Sequence, residues 1–232
     1  MNSNLYVIIL AAGESKRFKE KGYTQCKPLL PITYAGATLS MLSWVILTLG
    51  EIREPFNLLI AYPANLPLPV IELAQSSYVL IRETRGQADS LRQALAYVPE
   101  NSRVLVLDCD MVLKRSDIQT LLDLLQTSDI SIAVTETFDP NASRVDTVPF
   151  PTRFVEKEAI SQWGIVGARA FKNSTLLIEA LDEVLYLGNL HVEPYLSTAI
   201  NYYPGTKVAH IVSDYLDWGT PDRLENTGAR IS

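Results

Sequence analysis

Five short runs of this chain are almost wholly apolar: Leu5–Leu10, Phe56–Ala61, Tyr78–Ile81, Arg103–Leu107 and Ile130–Thr135. A strand with apolar residues at successive positions has no solvent face, so it belongs in a parallel sheet covered on both sides. Helical patterns fall between the runs. Thr38 is placed to cap one whose Leu39, Leu42, Val45, Ile46 and Leu49 share a face, and Ser116 to cap another carrying Ile118, Leu121, Leu122 and Leu125. Ala88–Tyr97 reads as a third helix and Val70–Gln75 as a short fourth. This βα alternation predicts a mostly parallel sheet with helices on both faces. The last third breaks the rhythm. Thr137–Pro151 reads as a long loop or small hairpin and Trp163–Phe171 as a strand. Ser174–Leu185 and Val192–Tyr202 read as helices, Lys207–Val212 as a strand, and Pro221 suits the first turn of a terminal helix. With no repeat or linker, the expectation is one domain over 1–232, its 137–205 region forming a lobe over the sheet.

Composition narrows the function. Hydrophobic residues make 47% of the chain and charged residues 20%, which excludes a disordered, collagenous or coiled-coil protein. Twenty Lys and Arg against 26 Asp and Glu give a net charge of −6, which argues against a nonspecific nucleic-acid or membrane binder. Local cations can still receive an anionic substrate. The cysteines, Cys26 and Cys109, and the histidines, His191 and His210, form no pair at metal-ligand spacing, so no structural zinc is expected. So few cysteines fit a reducing compartment. The opening apolar run reads as a strand and not a signal peptide, and no stretch reaches the ~18 apolar residues of a membrane span. The cytoplasm is the expected location.

The chemistry-bearing residues cluster where strands end. Gly13 follows the first strand, and a glycine there lets backbone N–H groups approach a phosphate, with Lys16 and Arg17 beside it. Neither a P-loop nor a dinucleotide fingerprint is present. Asp108 and Asp110 close the Arg103–Leu107 run. Alternation of strand side chains would project them the same way, at the sheet end where open α/β folds bind ligands. Two carboxylates aimed at one point call for a cation; otherwise they cap the next helix. Gly86-Gln87 lies at a strand–helix turn, Glu156-Lys157-Glu158 is a charged run, and Asp217 precedes the helix-opening Gly219-Thr220-Pro221.

Leu10 to Ile32 reads LAAG-x3-R-x9-KPLLPI, which resembles the N-terminal signature of the sugar-nucleotidyltransferase superfamily. Later segments resemble that family's in the same order, from residue 5 to residue 226. The resemblance implies a glycosyltransferase-A-like, Rossmann-related, three-layer α/β/α fold with a mostly parallel central sheet. It implies that the Gly13 loop wraps a nucleoside triphosphate, with Leu10, Ala11 and Ala12 lining it and Arg17 and Lys27 neutralising its phosphates. Many members carry a second glycine where Ser15 stands. The Arg85–Asp89 segment resembles the family's LGTA element, placing Gly86 and Gln87 on base or ribose, although Gln87 replaces the usual Thr. VLVLDCDMV resembles the metal-binding aspartate motif. It implies Asp110 as a Mg²⁺ ligand and Asp108 in a supporting, nucleotide-side role. Phe154–Glu158 and Gly164–Gly167 resemble the EKP segment and the strand after it, which puts Glu156, Lys157 and Gly164 on the acceptor, with Glu158 in place of Pro. Asp217 then matches the closing D-x-GTP element as the second metal ligand.

The reaction implied is transfer of a nucleotidyl group from a nucleoside triphosphate to a sugar 1-phosphate or other phosphorylated small molecule, with pyrophosphate released. The LAAG form leans toward a pyrimidine nucleotide. Such enzymes make sugar nucleotides, for instance for capsule or surface polysaccharide. The alternatives are a DxD glycosyltransferase using a nucleotide sugar, and a non-catalytic nucleotide-binding protein on the same fold. No nucleic-acid or membrane partner is expected, and a homo-oligomer stays open.

Overall fold

A computed structural model describes residues 4–69, 76–188 and 194–232. The chain runs β1 (Leu5–Leu10), α1 (Lys16–Glu20), β2 (Pro31–Tyr34), β3 (Ala37–Ser40), α2 (Met41–Leu47), β4 (Phe56–Pro63), β5 (Ser76–Ile81) and α3 (Gln87–Leu95). It continues with β6 (Arg103–Asp108), β7 (Met111–Leu113), α4 (Arg115–Leu124), β8 (Ile130–Glu136), β9 (Ser143–Val145), β10 (Phe154–Glu156) and β11 (Trp163–Phe171). Then follow α5 (Ser174–Gly188), α6 (Leu196–Tyr202), β12 (Lys207–Ile211), β13 (Tyr215–Asp217), α7 (Pro221–Asn226) and β14 (Arg230–Ile231).

The apolar runs are strands of a nine-stranded sheet, with β1, β4, β6 and β8 inside it and β5 at an edge. β6, β1, β4 and β5 lie side by side and parallel, and β12 runs parallel to β8. β11 joins the two groups, antiparallel to both β6 and β8. Alternate side chains of β1 explain the layers. Ile8 and Leu10 pack into a core with Leu91 and Leu95 of α3, Leu181 of α5 and Ile200 of α6. Val7 and Ile9 face the other way, onto Val45 and Ile46 of α2 and Ile118, Leu121 and Leu122 of α4. The result is the three-layer α/β/α arrangement with a mostly parallel centre. A third cluster, built from Phe18, Ile32, Met41, Trp218 and Leu224, sits under the small sheet β14–β2–β3.

Two expected caps are corrected. Thr38 lies in β3, opposite Thr33, because Ala35 and Gly36 both take positive φ (49° and 82°) and fold β2 and β3 into a hairpin. The chain stays extended through Leu39 to Ser40, which is the cap: its Oγ accepts from the Ser43 N–H at 3.1 Å. Ser116 is likewise inside its helix. Lys114 is the cap residue, and its carbonyl accepts from the N–H groups of Asp117 and Ile118. The stripes behind both caps are buried at Leu42, Val45, Ile46 and Leu49 and at Ile118, Leu121, Leu122 and Leu125, but Leu39, expected to open the first, is half-buried in β3. The expected helix at 70–75 and the start of the one placed at Val192, with His191, lie outside the described residues. Within 137–205, β9 and β10 make the small outlying hairpin, while β11 is built into the main sheet. Among the described residues no helix is long and apolar enough to cross a membrane.

Candidate active site

β1 and β6 end level, Leu10 opposite Asp108, and a cavity of about 580 Å³ opens above them. That is within the ~300–1,000 Å³ of small-molecule sites. Leu10, Ala11, Ala12, Gly13, Arg17, Lys27, Gly86, Gln87, Asp108 and Asp110 all line it, together with Gly219. A methyl group placed on Gly13 would meet nothing within 4 Å, so this loop leaves its space to whatever the cavity holds. Ser15 follows with φ 59°, the left-handed conformation in which a glycine costs nothing. Its hydroxyl offsets part of that cost by accepting from the Lys27 N–H at 2.8 Å, which ties the glycine loop to the Lys27 turn.

β6 ends at Asp108 and the chain turns at Cys109 and Asp110, so strand alternation does not extend to the second carboxylate. The two aspartates nonetheless line the same cavity with different partners. The Lys27 ammonium donates to Asp110 Oδ2 at 2.5 Å, in a pair whose side chains are only 20% and 14% exposed. Burial pulls the Lys27 pKa down, but the charges of Asp110 and Asp108 outweigh it and hold it above its ordinary value. Asp108 Oδ1 accepts from Gln87 Nε2 at 3.1 Å and lies 3.6 Å from Nη1 of Arg169. Burial pushes the Asp108 pKa up, against the pull of Arg169. Burial likewise drives the Cys109 thiol up to about 12.

Asp217 arrives from the far end of the sequence. β13 pairs with β7, setting Asp217 opposite Met111, and the Trp218 N–H bonds the Asp110 carbonyl at 2.9 Å. Trp218 is wholly buried against Tyr34 and Trp44, with its Nε1 donating to Thr227 Oγ1 at 2.9 Å, so this stretch of backbone is fixed. A Cβ on Gly219 would stand 3.0 Å from Asp217 Oδ1 and 3.4 Å from Asp110 Oδ2. The two carboxylate oxygens are therefore no farther apart than the sum of those distances, about 6.4 Å. Side-chain rotation can close that gap to the ~4 Å that two ligands of one octahedral Mg²⁺ require. Among the described residues no group of three or more His, Cys, Asp or Glu gathers as a metal cage. A Mg²⁺ held by two carboxylates, with phosphate oxygens and water completing its shell, fits this donor set.

The remaining sequence candidates do not line the cavity. Glu156 Oε2 accepts from the hydroxyls of Ser143 and Ser197, the latter at 2.8 Å. Lys157, with φ 56°, sets its ammonium 2.7 Å from Tyr195 Oη and 5.0 Å from the centre of that ring. Gly164 is packed: a Cβ there would come 2.4 Å from Thr137 Cγ2.

Three charged residues escaped the sequence reading. Arg169 is 4% exposed, and its Nε and Nη1 have no hydrogen-bond partner among the described residues. A lone arginine in the apolar run Trp163–Phe171 was the available signal. Arg223 donates from Nη1 to Asp217 Oδ2 at 2.7 Å, and its Nη2 contacts Asp139. Nothing local marks either member of that last pair.

A family model described as the MobA-like NTP transferase domain matches residues 7–165. The bifunctional protein GlmU of Xanthomonas oryzae pv. oryzae is 32% identical over 144 residues, and that of Marinobacter nauticus 28% over 141. Each alignment covers 60% of this chain and 30% of the relative, so the chain spans about a third of the length of these curated proteins. Among solved structures, the nucleoside-diphosphate-sugar pyrophosphorylase of Vibrio cholerae RC9 is similar at TM-score 0.75 and 20% identity, over 95% of this chain and 98% of that one. The UTP-bound UGPase of Acinetobacter baumannii is similar at TM-score 0.76 and 14% identity, over 96% and 91%. At these identities the structural likeness concerns the fold.

Proposed function

The chain belongs to the MobA-like NTP transferase family, and on that premise we propose that it transfers a nucleoside monophosphate from a nucleoside triphosphate to a sugar 1-phosphate or similar phosphorylated acceptor. One observation carries the reading: Asp110 and Gly219 line the cavity, carboxylate oxygens of Asp110 and Asp217 both come within 3.4 Å of a Cβ placed on Gly219, and the Lys27 ammonium lies against Asp110. The solved relatives named as sugar-nucleotide pyrophosphorylases, one of them with UTP bound, support the substrate class.

In the proposed reaction an acceptor phosphate oxygen forms the new bond to the α-phosphorus. The bond from that phosphorus to the bridging oxygen breaks, and its electron pair leaves with pyrophosphate. A phosphate monoester has a second pKa of ~6, so the nucleophile is already anionic near neutral pH and no protein base is needed. The protein's part is positioning and neutralisation. The open Gly13 loop admits the triphosphate to backbone contact. Arg17 and Lys27 meet its phosphates, Lys27 remaining an ammonium because its carboxylate neighbours hold its pKa up. Gly86, Gln87 and Asp108 take the nucleoside side. Asp110 and Asp217 would hold Mg²⁺, which when bound supplies charge neutralisation on the phosphates. Glu156, Lys157 and Gly164 are assigned to the acceptor side, and the LAAG sequence favours UTP or CTP.

The test is pyrophosphate release from each of the four nucleoside triphosphates, with Mg²⁺, against a panel of hexose 1-phosphates and non-sugar phosphate esters. Acceptor-dependent release, fastest with a pyrimidine nucleotide, is expected. No release with any pair, alongside glycosyl transfer from a ready-made nucleotide sugar, would replace this reading with the glycosyltransferase one.

A further inference from the structure

Arg223 joins two carboxylates, that of Asp217, six residues before it, and that of Asp139, 84 residues before it. Nη1 donates to Asp217 Oδ2 at 2.7 Å, and Nη2 engages Asp139 in the loop after β8. Asp217 Oδ1 accepts from the Gly219 N–H at 2.9 Å, and it is the oxygen that lies against Gly219 on the side of Asp110. Arg223 therefore holds Oδ2, while Oδ1, bonded to the Gly219 N–H, is the oxygen set beside Gly219 with Asp110 Oδ2.

Asp139 is itself fixed. Its own N–H donates to Thr137 Oγ1 at 3.1 Å, and its Oδ1 accepts from the Asn141 N–H at 2.9 Å. Its carbonyl accepts from Nη2 of the buried Arg144 at 2.7 Å. Nη1 of that same arginine holds the carbonyls of Thr137 and Ser161, at 2.9 and 2.7 Å. The loop that carries Asp139 thus continues into Thr137, whose methyl group is packed on Gly164. From Gly164 to Asp217 the contacts run unbroken through Arg144, Asp139 and Arg223.

We infer that Arg223 and Asp139 are positioning residues that orient Asp217 for metal and fasten that orientation to the acceptor-side loop. The inference rests on the two-aspartate metal site proposed above. A planar guanidinium can face two carboxylates at once with fixed angles, whereas a lysine ammonium is a point charge on a flexible stem. Groups that hold a metal ligand from behind set its affinity, and losing one typically costs ~10–100-fold.

The experiment titrates Mn²⁺ into the protein complexed with a non-hydrolysable nucleoside triphosphate, reading free Mn²⁺ by electron paramagnetic resonance, with the nucleotide alone as control. Asp217→Asn should weaken Mn²⁺ most. Asp139→Asn and Arg223→Lys should each weaken it about tenfold while leaving metal-free nucleotide affinity, measured by calorimetry, within about twofold. In the Asp217→Asn background, Asp139→Asn should add nothing, a result that a general loosening of the fold does not produce. Native Mn²⁺ affinity in Asp139→Asn, or an equal loss with and without Asp217, overturns the inference while the metal site stands. Native affinity in Asp217→Asn overturns the metal site and the inference with it. If Arg223→Lys fails to fold, the isosteric Asp139→Asn carries the test.

Discussion

Gly13 and Gly164, which we propose for the nucleotide side and the acceptor side, have different surroundings. A methyl group on Gly13 would meet nothing; one on Gly164 would collide with Thr137 at 2.4 Å. The polar groups follow the same division. On the nucleotide side, Gly13, Arg17, Lys27 and Asp110 border a cavity that is already formed. On the acceptor side, Glu156 is held by two serine hydroxyls and Lys157 faces Tyr195. One half keeps space and charge for a ligand, while the other uses its residues to hold itself together. A glycine in a motif can thus serve either a ligand or a neighbouring side chain, and only the space around it tells which.

The largest effect should come from Asp110→Asn. The change keeps size and removes the charge, so the cavity persists but its stabilisation of the phosphates weakens. Losing such a preorganised contact costs ~3 kcal/mol or more, a hundredfold or greater loss of pyrophosphate release. Near-native turnover in a folded Asp110→Asn protein would remove the cavity from the chemistry and erase the contrast between the halves. Lys27→Ala and Arg17→Ala come next. Charge-assisted hydrogen bonds are worth ~1.5–3 kcal/mol, so each should weaken a slowly reacting triphosphate analogue about tenfold or more by calorimetry. Neither should be restored by exchanging one cation type for the other.

The two halves were not equally legible in the sequence. On the nucleotide side the functional groups sit at the ends of apolar strands, where both strand and motif are local patterns. Leu5–Leu10 with Gly13, and Arg103–Leu107 with Asp108, could therefore be read directly, whereas Asp110 is set by the turn at Cys109 and not by strand alternation. The hairpin that displaced Thr38 was missed because its turn begins with Ala35, a residue with no preference for positive φ. The approach of Asp217 to Asp110 depends on β13 and β7, strands of three residues each, too short to show a periodicity. The resemblance to the closing D-x-GTP element suggested that approach; no pattern in the chain itself did. Asp139 and Arg223 left no trace, since a pair so far apart in sequence is made by the fold alone.

The glycine contrast yields a crossed prediction of intermediate size. Gly164→Ala forces the β-branched, stiff Thr137 or its strand to move, and overpacking of this kind costs ~1–3 kcal/mol. Urea unfolding should show that loss, with nucleotide affinity unchanged in the folded protein. Gly13→Ala should do the reverse: stability within about 0.5 kcal/mol, as for a substitution into open space, with triphosphate binding weakened. If both variants lose stability alike and neither loses nucleotide, the halves do not differ as described.

The smallest effect concerns pH. Asp129 and Asp139 are held below the ordinary carboxylate range, Asp129 first by the Thr206 N–H and Asp139 first by the Asn141 N–H. Burial works against Asp146, but the Thr152 hydroxyl and the backbone N–H groups around it prevail and lower it too. Asp129 sits in the turn that enters β8, and Asp139 and Asp146 lie in the segments after it. A carboxylate whose folded pKa is depressed adds stability that is fully present above its unfolded value, 3.8, and is lost as pH falls through the folded one. Asp108, on the nucleotide side, has the opposite sign. Burial raises it, so the folded protein takes up a proton there more readily than the unfolded chain, and acid does not weaken the fold through this group. The acid limb of the stability curve should therefore draw on Asp129, Asp139 and Asp146, joined beside the cavity by Glu14, which Lys16 holds below its ordinary value. Urea midpoints taken from pH 6 down to pH 3 should decline less steeply for Asp146→Asn than for the native chain, because the variant lacks one of the protons that the native carboxylates must take up. Asp146 touches neither the cavity nor Asp217, so nucleotide affinity at pH 7 should stay native. Parallel declines in the two proteins would mean that Asp146 does not shape the acid limb.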